Sequence, residues 1–200
     1  MKRRDMFKLP LVAAAALTAT PAIAAARCEG DGTPNQFIPK SPKDPTPLEN
    51  ELKKYPKCPY CGMDRTQFHH ARHLVQYGDD LVDGTCSIHC LSISLAINLD
   101  REPKAIYAAD NASAEAVKPL INVDQATYLI GGSQPGVMTH RGKVSYGGKE
   151  AALAAKEKHA GEIGDFAAAL TASYADLAKD TLMIRKKREE RRQHMLKKTS

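Results

Sequence analysis

Apolar residues are unevenly spread along the 200-residue chain. They first form a dense stretch from Leu9 to Ala26, broken only by Pro10, Thr18, Thr20 and Pro21. They thin out over residues 29–57, where Pro34, Pro39, Pro42, Pro45 and Pro47 recur among Gly, Lys and Asp. No period persists there, so residues 27–55 read as a flexible, extended leader with one short helical turn at Pro47–Leu52. Ordered patterning begins at Cys58. The run His73-Leu74-Val75-Gln76-Tyr77 predicts a strand, and Gly78-Asp79-Asp80 a turn. Leu81–Gly84 then leads into a predicted helix over Ser87–Asn98. Ile88, Leu91, Ile93, Leu95, Ala96 and Ile97 give that helix the wide apolar surface expected of one packed on a sheet. Lys104–Ala109 predicts a further strand.

A second cycle follows the same order. Ala126–Ile130 predicts a strand, Gly131–Gly136 a loop running on to Met138, and Lys143–Tyr146 a second strand. A helix over Glu150–His159, closed by Gly161, completes the cycle. Two cycles of two strands and a helix predict an α+β domain over 56–175, built of two similar β-β-α modules at about 56–115 and 120–175. From Asp165 to Leu196 the pattern is helical again. Residues 176–200 read as a basic helical tail with i,i+4 pairs such as Arg185–Glu189.

Charge and composition change the reading of both ends. Lys2, Arg3, Arg4 and Lys8 precede the apolar stretch, and small residues end it, which is the layout of a secretory signal peptide over 1–26. The stretch is too short and interrupted to span a membrane. Arg3-Arg4 followed by Phe7-Lys8 looks like a twin-arginine export signal, with an ordinary Sec signal as the alternative. The expected location is the periplasm. Lipidation of Cys28 would add a membrane anchor, but Arg27 stands where a lipoprotein signal wants Gly, Ala or Ser. The formal charge of +6 also belongs to the ends: residues 185–200 hold eight Lys or Arg against Glu189 and Glu190, and residues 1–26 add three more positive charges, leaving a body of −3. That excludes a nucleic-acid-binding body. It leaves an anionic membrane surface or an acidic partner for the tail.

The chemistry lies between Cys58 and Cys90. Four of the five cysteines occur there, as Cys58-Pro59-Tyr60-Cys61-Gly62-Met63 and Cys86-Ser87-Ile88-His89-Cys90. A two-residue gap lets a turn point two sulfurs at one ion, and a four-residue step at a helix start stacks two more on one side. By spacing alone this is a structural zinc arrangement. Met63 and export favour copper(I) instead, because a thioether suits that ion and has little use at zinc. Gly62 permits the turn that would bring Met63 beside Cys61. Met138, in the Gly/Pro-rich stretch between two strands, is a further candidate ligand. His69, His70 and His73 read as surface or loop residues, with copper coordination by one of them as the alternative. His140, two residues past Met138, is an equal candidate, while His89 lies inside the second cysteine turn.

With these residues together, the chain resembles the NosL family, exported copper-binding accessory proteins of nitrous oxide reductase maturation. The resemblance runs from residue 56 to about 170, through the two cysteine motifs, Tyr128-Leu129-Ile130-Gly131-Gly132 to Met138, and Val144-Ser145-Tyr146. It implies delivery of copper(I) to a receiving enzyme, nitrous oxide reductase. It also implies a Cys/Met site in which Cys58, Cys61 and Met63 match the Cys-Gly-Met motif and Met138 the methionine of the second module. Cys86 stands where many members carry a phenylalanine-cysteine-serine step, here with Thr85 before it. The richer donor set, the poor lipidation signal and the basic tail depart from the family pattern.

Two other functions compete with the copper carrier. A four-cysteine structural zinc module would bury saturated thiolates and act through protein interaction. A thiol–disulfide oxidoreductase would need Cys58 exposed at a helix N-terminus, and Pro59, Gly62 and the second cysteine pair argue against it. No acid–base pair or nucleophile–His–carboxylate set stands out, so no catalysis is expected.

Overall fold

The computed structural model describes residues 43–199. A single helical turn, α1 (Glu51–Lys54), precedes the cysteine hairpin. β1 (His73–Tyr77) and β2 (Val82–Thr85) follow, then α2 (Ile88–Ile97), β3 (Pro103–Ala109) and β4 (Leu120–Asn122). These strands form one antiparallel sheet in the order β2-β1-β3-β4. β5 (Thr127–Pro135), β6 (Arg141–Tyr146), α3 (Lys149–His159), β7 (Glu162–Gly164) and α4 (Phe166–Thr199) complete the chain. Their strands make a second antiparallel sheet in the order β6-β5-β7. The fold is therefore α+β, with two small sheet-and-helix modules packed together.

β1 shows why the first predicted strand lacks a polar face. All five residues are buried, because β1 is central and covered on both sides. Val75 and Tyr77 point into a core shared with Ile88 and Leu91 of α2, Tyr128 and Ile130 of β5, and Ala169 of α4. Leu74 points the other way, onto Tyr55 and Val82. The shared core joins the two sheets, while a separate cluster of Leu129, Tyr146, Ala152 and Ala155 seats α3 on the far side of β5. Burial of each large apolar side chain stabilises the fold by roughly 1.5–3 kcal/mol.

Several expectations need correction. Leu120–Asn122 does not open the second module: its register with β3 (Tyr107 opposite Asn122) makes it the edge of the first sheet. Gly131–Pro135 is not a loop but the continuation of β5, reached through an irregular register after Ile130. Gly131 and Gly132, at φ of 79° and 78°, supply that irregularity, and a side chain on Gly132 would meet the His159 carbonyl at 2.3 Å. β7 was hidden in the approach to the last helix. His73 is not on the surface but in the core, its ring stacked on Tyr128 with Nε2 3.1 Å from the tyrosine hydroxyl.

α4 begins with Asp165 accepting the Ala168 backbone N–H at 2.8 Å, an N-terminal cap. It is one helix, so the basic tail is continuous with the body. Ser173 meets Ser92 of α2 at 3.1 Å, and Asp176 receives Lys143 at 2.6 Å and Arg141 at 2.9 Å. From Thr181 to Lys198 its side chains are exposed. None of the described helices is long and apolar enough to cross a membrane. The signal segment and Cys28 lie outside the described residues.

Candidate metal centre

Cys58 and Cys61 sit on a tight hairpin whose ends are held by the pairing of Lys57 with Asp64. Inside it the Cys58 N–H donates to the Met63 carbonyl and the Gly62 N–H to the Cys58 carbonyl, both at 2.9 Å. Gly62 adopts φ 76°, and a side chain there would touch nothing. Glycine is therefore required by the backbone turn and not by space. Cys86 follows β2 directly, and Cys90 lies in the first turn of α2, one helical turn on.

The structure brings all four cysteines together. Their sulfurs lie within 4.8 Å of one another. Cys61 Sγ is 3.4 Å from Cys86 Sγ, which is 3.7 Å from Cys90 Sγ. Tetrahedral thiolates at a metal–sulfur distance of about 2.3 Å would stand about 3.8 Å apart, so small adjustments seat an ion. Cys58, Cys86 and Cys90 are buried and Cys61 is half-exposed. The cluster can coordinate a metal ion, and among the described residues it is the group of cysteine, histidine and carboxylate donors that converges in this way.

Electrostatics prepare the site for a cation. Hydrogen bonds from Cys86 and Cys90 hold the Cys58 thiol far below its usual range, against the opposing effect of burial. The same contacts with Cys58 push Cys86 and Cys90 well above theirs. A bound cation removes the mutual repulsion and releases further protons. The N-terminus of α2 contributes its positive end to the same sulfurs.

The other predicted donors are placed unequally. Met63 packs against the cysteines, together with Tyr60 and Val137. Met138 stands one residue away from that contact, 43% exposed and at φ 66°. His69 accepts the Lys118 backbone N–H on Nδ1 at 3.2 Å and meets His70 edge to face. Neither belongs to the cysteine cluster, nor does the exposed His140. Burial lowers the pKa of His89, which lies within electrostatic reach of Asp180 and Asp176 of α4, of Lys143 and of Cys58.

Two supporting side chains escaped the sequence reading. Arg65 is fully buried behind the hairpin and pairs with Glu51 at 2.8 Å. It also donates to the carbonyls of Tyr55, His73 and Thr85 at 2.6, 3.2 and 3.2 Å. Gly84 makes room for it: a side chain there would lie 2.8 Å from the guanidinium carbon. The second is Asp83, which accepts from Tyr60 at 2.5 Å and Ser94 at 2.6 Å. Burial pushes its carboxyl above the usual range. A polar residue flanking each cysteine pair was the only sequence signal for either.

The sequence model of the NosL family matches residues 49–174, which include both sheets and all four clustered cysteines. The chain belongs to the NosL family. Among curated proteins none matches it. A solved structure described as the crystal structure of the copper chaperone NosL from Shewanella denitrificans is similar at 25% identity and a TM-score of 0.49, over 62% of this chain and 94% of that one. NosL proteins carry metal and do not catalyse, so the chain is not an enzyme. The tail beyond residue 174 lies outside the family match.

Proposed function

We propose that this NosL protein is an exported copper(I) carrier that passes its ion to a cuproenzyme under assembly, with nitrous oxide reductase as the receiving enzyme. The observation that carries the reading is the four-sulfur cluster with one open corner. Three sulfurs are sealed, while Cys61 reaches the surface and Met63 packs beside it. A monovalent soft ion needs few thiolates for charge balance, so the remaining sulfurs stay free to trade places during transfer. In this reading Cys58, Cys61, Cys86 and Cys90 hold the ion, Met63 completes its soft surroundings, and the exposed Met138 takes it at the exit. His69, His70 and His140 are outside the resting site.

A structural zinc ion is the second reading, favoured by one observation: four thiols at nearly tetrahedral spacing. The two differ in exchange. Copper(I)-loaded protein, mixed anaerobically with metal-free nitrous oxide reductase, is expected to lose copper to the enzyme. Retention of the copper, or transfer no faster than from a cuprous chelator of equal affinity, would remove the delivery role.

A further inference from the structure

Beyond the metal site, the feature without a function is the outer part of α4. Residues 177–199 extend the helix by about 35 Å at 1.5 Å per residue. Leu182, Met183 and Ile184 are 65%, 44% and 46% exposed at its root. The charges that follow are mostly positive, eight Lys or Arg against Glu189 and Glu190 over residues 185–200, and four of the arginines fall on or beside one side of the helix. Thr181, Ile184, Arg185, Arg188 and Arg192 line one shallow groove along it. Arg191 falls beside that groove by its seven-residue step from Ile184, and lines the neighbouring one with Lys187, Glu190 and His194. Glu189 lies at the edge, where it accepts from Arg192 Nε at 3.0 Å. An exposed pair of this kind contributes little and leaves the field of the face largely intact.

We propose that this face docks the protein on an anionic phospholipid surface. A flat array of phosphates meets one side of a helix, and the groove lined by Arg185, Arg188 and Arg192 holds no carboxylate. Ile184 and the arginine stems can lie along the headgroup boundary while the guanidiniums bind phosphate. A second copy of the helix is excluded as occupant, since its arginines would face these. A protein groove that receives a helix needs repeated apolar anchors, and between Ile184 and Met195 the anchor positions are held by Arg188 and Arg191. The helix leaves the body beside α2, through the Ser92–Ser173 contact, so docking also fixes how the cysteine cluster stands above the membrane.

The test is vesicle co-sedimentation of protein purified from the periplasm. Vesicles of phosphatidylethanolamine with phosphatidylglycerol are compared with vesicles of phosphatidylcholine alone. A variant with Arg185→Gln, Arg188→Gln, Arg191→Gln and Arg192→Gln keeps helix propensity while removing the charge, and unchanged circular dichroism confirms its fold. Binding to the anionic vesicles is expected to weaken at least about tenfold in that variant. It should also fall steeply with salt. A Glu189→Gln/Glu190→Gln variant should bind as well or better. Equal binding by the arginine variant would overturn the proposal, as would equal binding of the unaltered protein to phosphatidylcholine. So would failure to bind either vesicle, and salt-sensitive capture by an acidic protein in that case would assign the face to a protein partner.

Discussion

Arg65 donates through Nε to the carbonyl of Thr85 at 3.2 Å, one residue before Cys86. The same guanidinium reaches the Tyr55 carbonyl at 2.6 Å, and its own backbone N–H donates to the Pro56 carbonyl at 2.9 Å, two residues before Cys58. One buried side chain therefore ties both cysteine pairs to a common point. Replacing it with Met leaves three carbonyls without this donor and deprives Glu51 of one of its two cations. Arg65→Met is expected to cost about 3–5 kcal/mol of stability in metal-free, reduced protein. Arg65→Lys keeps the charge without the fork and should cost about 1–2 kcal/mol. Urea unfolding measures both, and a loss below about 1 kcal/mol for Arg65→Met, the worth of one ordinary hydrogen bond, would show that the clamp is dispensable.

His73 gives the fold an acid sensitivity. Burial pushes its imidazole down to about 4 from a usual 6.5. The unfolded chain takes up the proton first as pH falls, so the folded state loses stability between those two values. The loss amounts to about 3 kcal/mol at most. Unfolding midpoints measured across the window should decline for the native sequence and decline less for His73→Gln. Parallel curves would place the acid sensitivity elsewhere.

The two methionines should separate affinity from transfer. Met63→Leu removes a thioether packed on the cluster and is expected to weaken copper(I) binding about tenfold, or about 1.4 kcal/mol, with zinc binding unchanged. Met138→Leu should leave affinity alone and slow the passage of copper to an acceptor. Competition titration with a cuprous chelator reads the first effect and stopped-flow mixing the second. Unaltered affinity in Met63→Leu would remove it from the site.

The long helix divides near Asp180. Burial alone would raise the Asp176 carboxyl, but hydrogen bonds from Arg141 and Lys143 outweigh it and hold the group below its usual range. Asp176→Ala leaves the buried Lys143 unpaired and should cost about 3 kcal/mol at neutral pH. The contribution is present above pH 3.8, the unfolded value, and is lost as pH falls through the lowered one. Removal of residues 185–200 touches none of these contacts. It should leave metal content and unfolding midpoint unchanged, and a large loss of either would make the tail part of the domain.

Much of the fold was legible because its elements carry their own periods. His73–Tyr77 and the turn after it, α2, and α3 were all readable from local pattern. The three-residue edge strands β4 and β7 were not, since three residues establish no alternation and pairing with a neighbour alone defines them. Cysteine spacing anticipated the cluster because backbone geometry limits where a two- or four-residue step can point a sulfur. Which side chain packs beside it was less readable: Val137 packs on the cysteines, while the next residue, Met138, is exposed at a positive φ. Nor does any local pattern reveal that Arg65 and His73 are buried, because their partners lie on other elements.

The central claim is that the four cysteines hold one exchangeable copper(I). Metal content and free-thiol count should be measured together on protein purified anaerobically from the periplasm. The account predicts one copper per chain, no disulfide among Cys58, Cys61, Cys86 and Cys90, and loss of the copper in Cys61→Ser. One tightly held zinc with all four thiols engaged, or copper retained in Cys61→Ser, would contradict it.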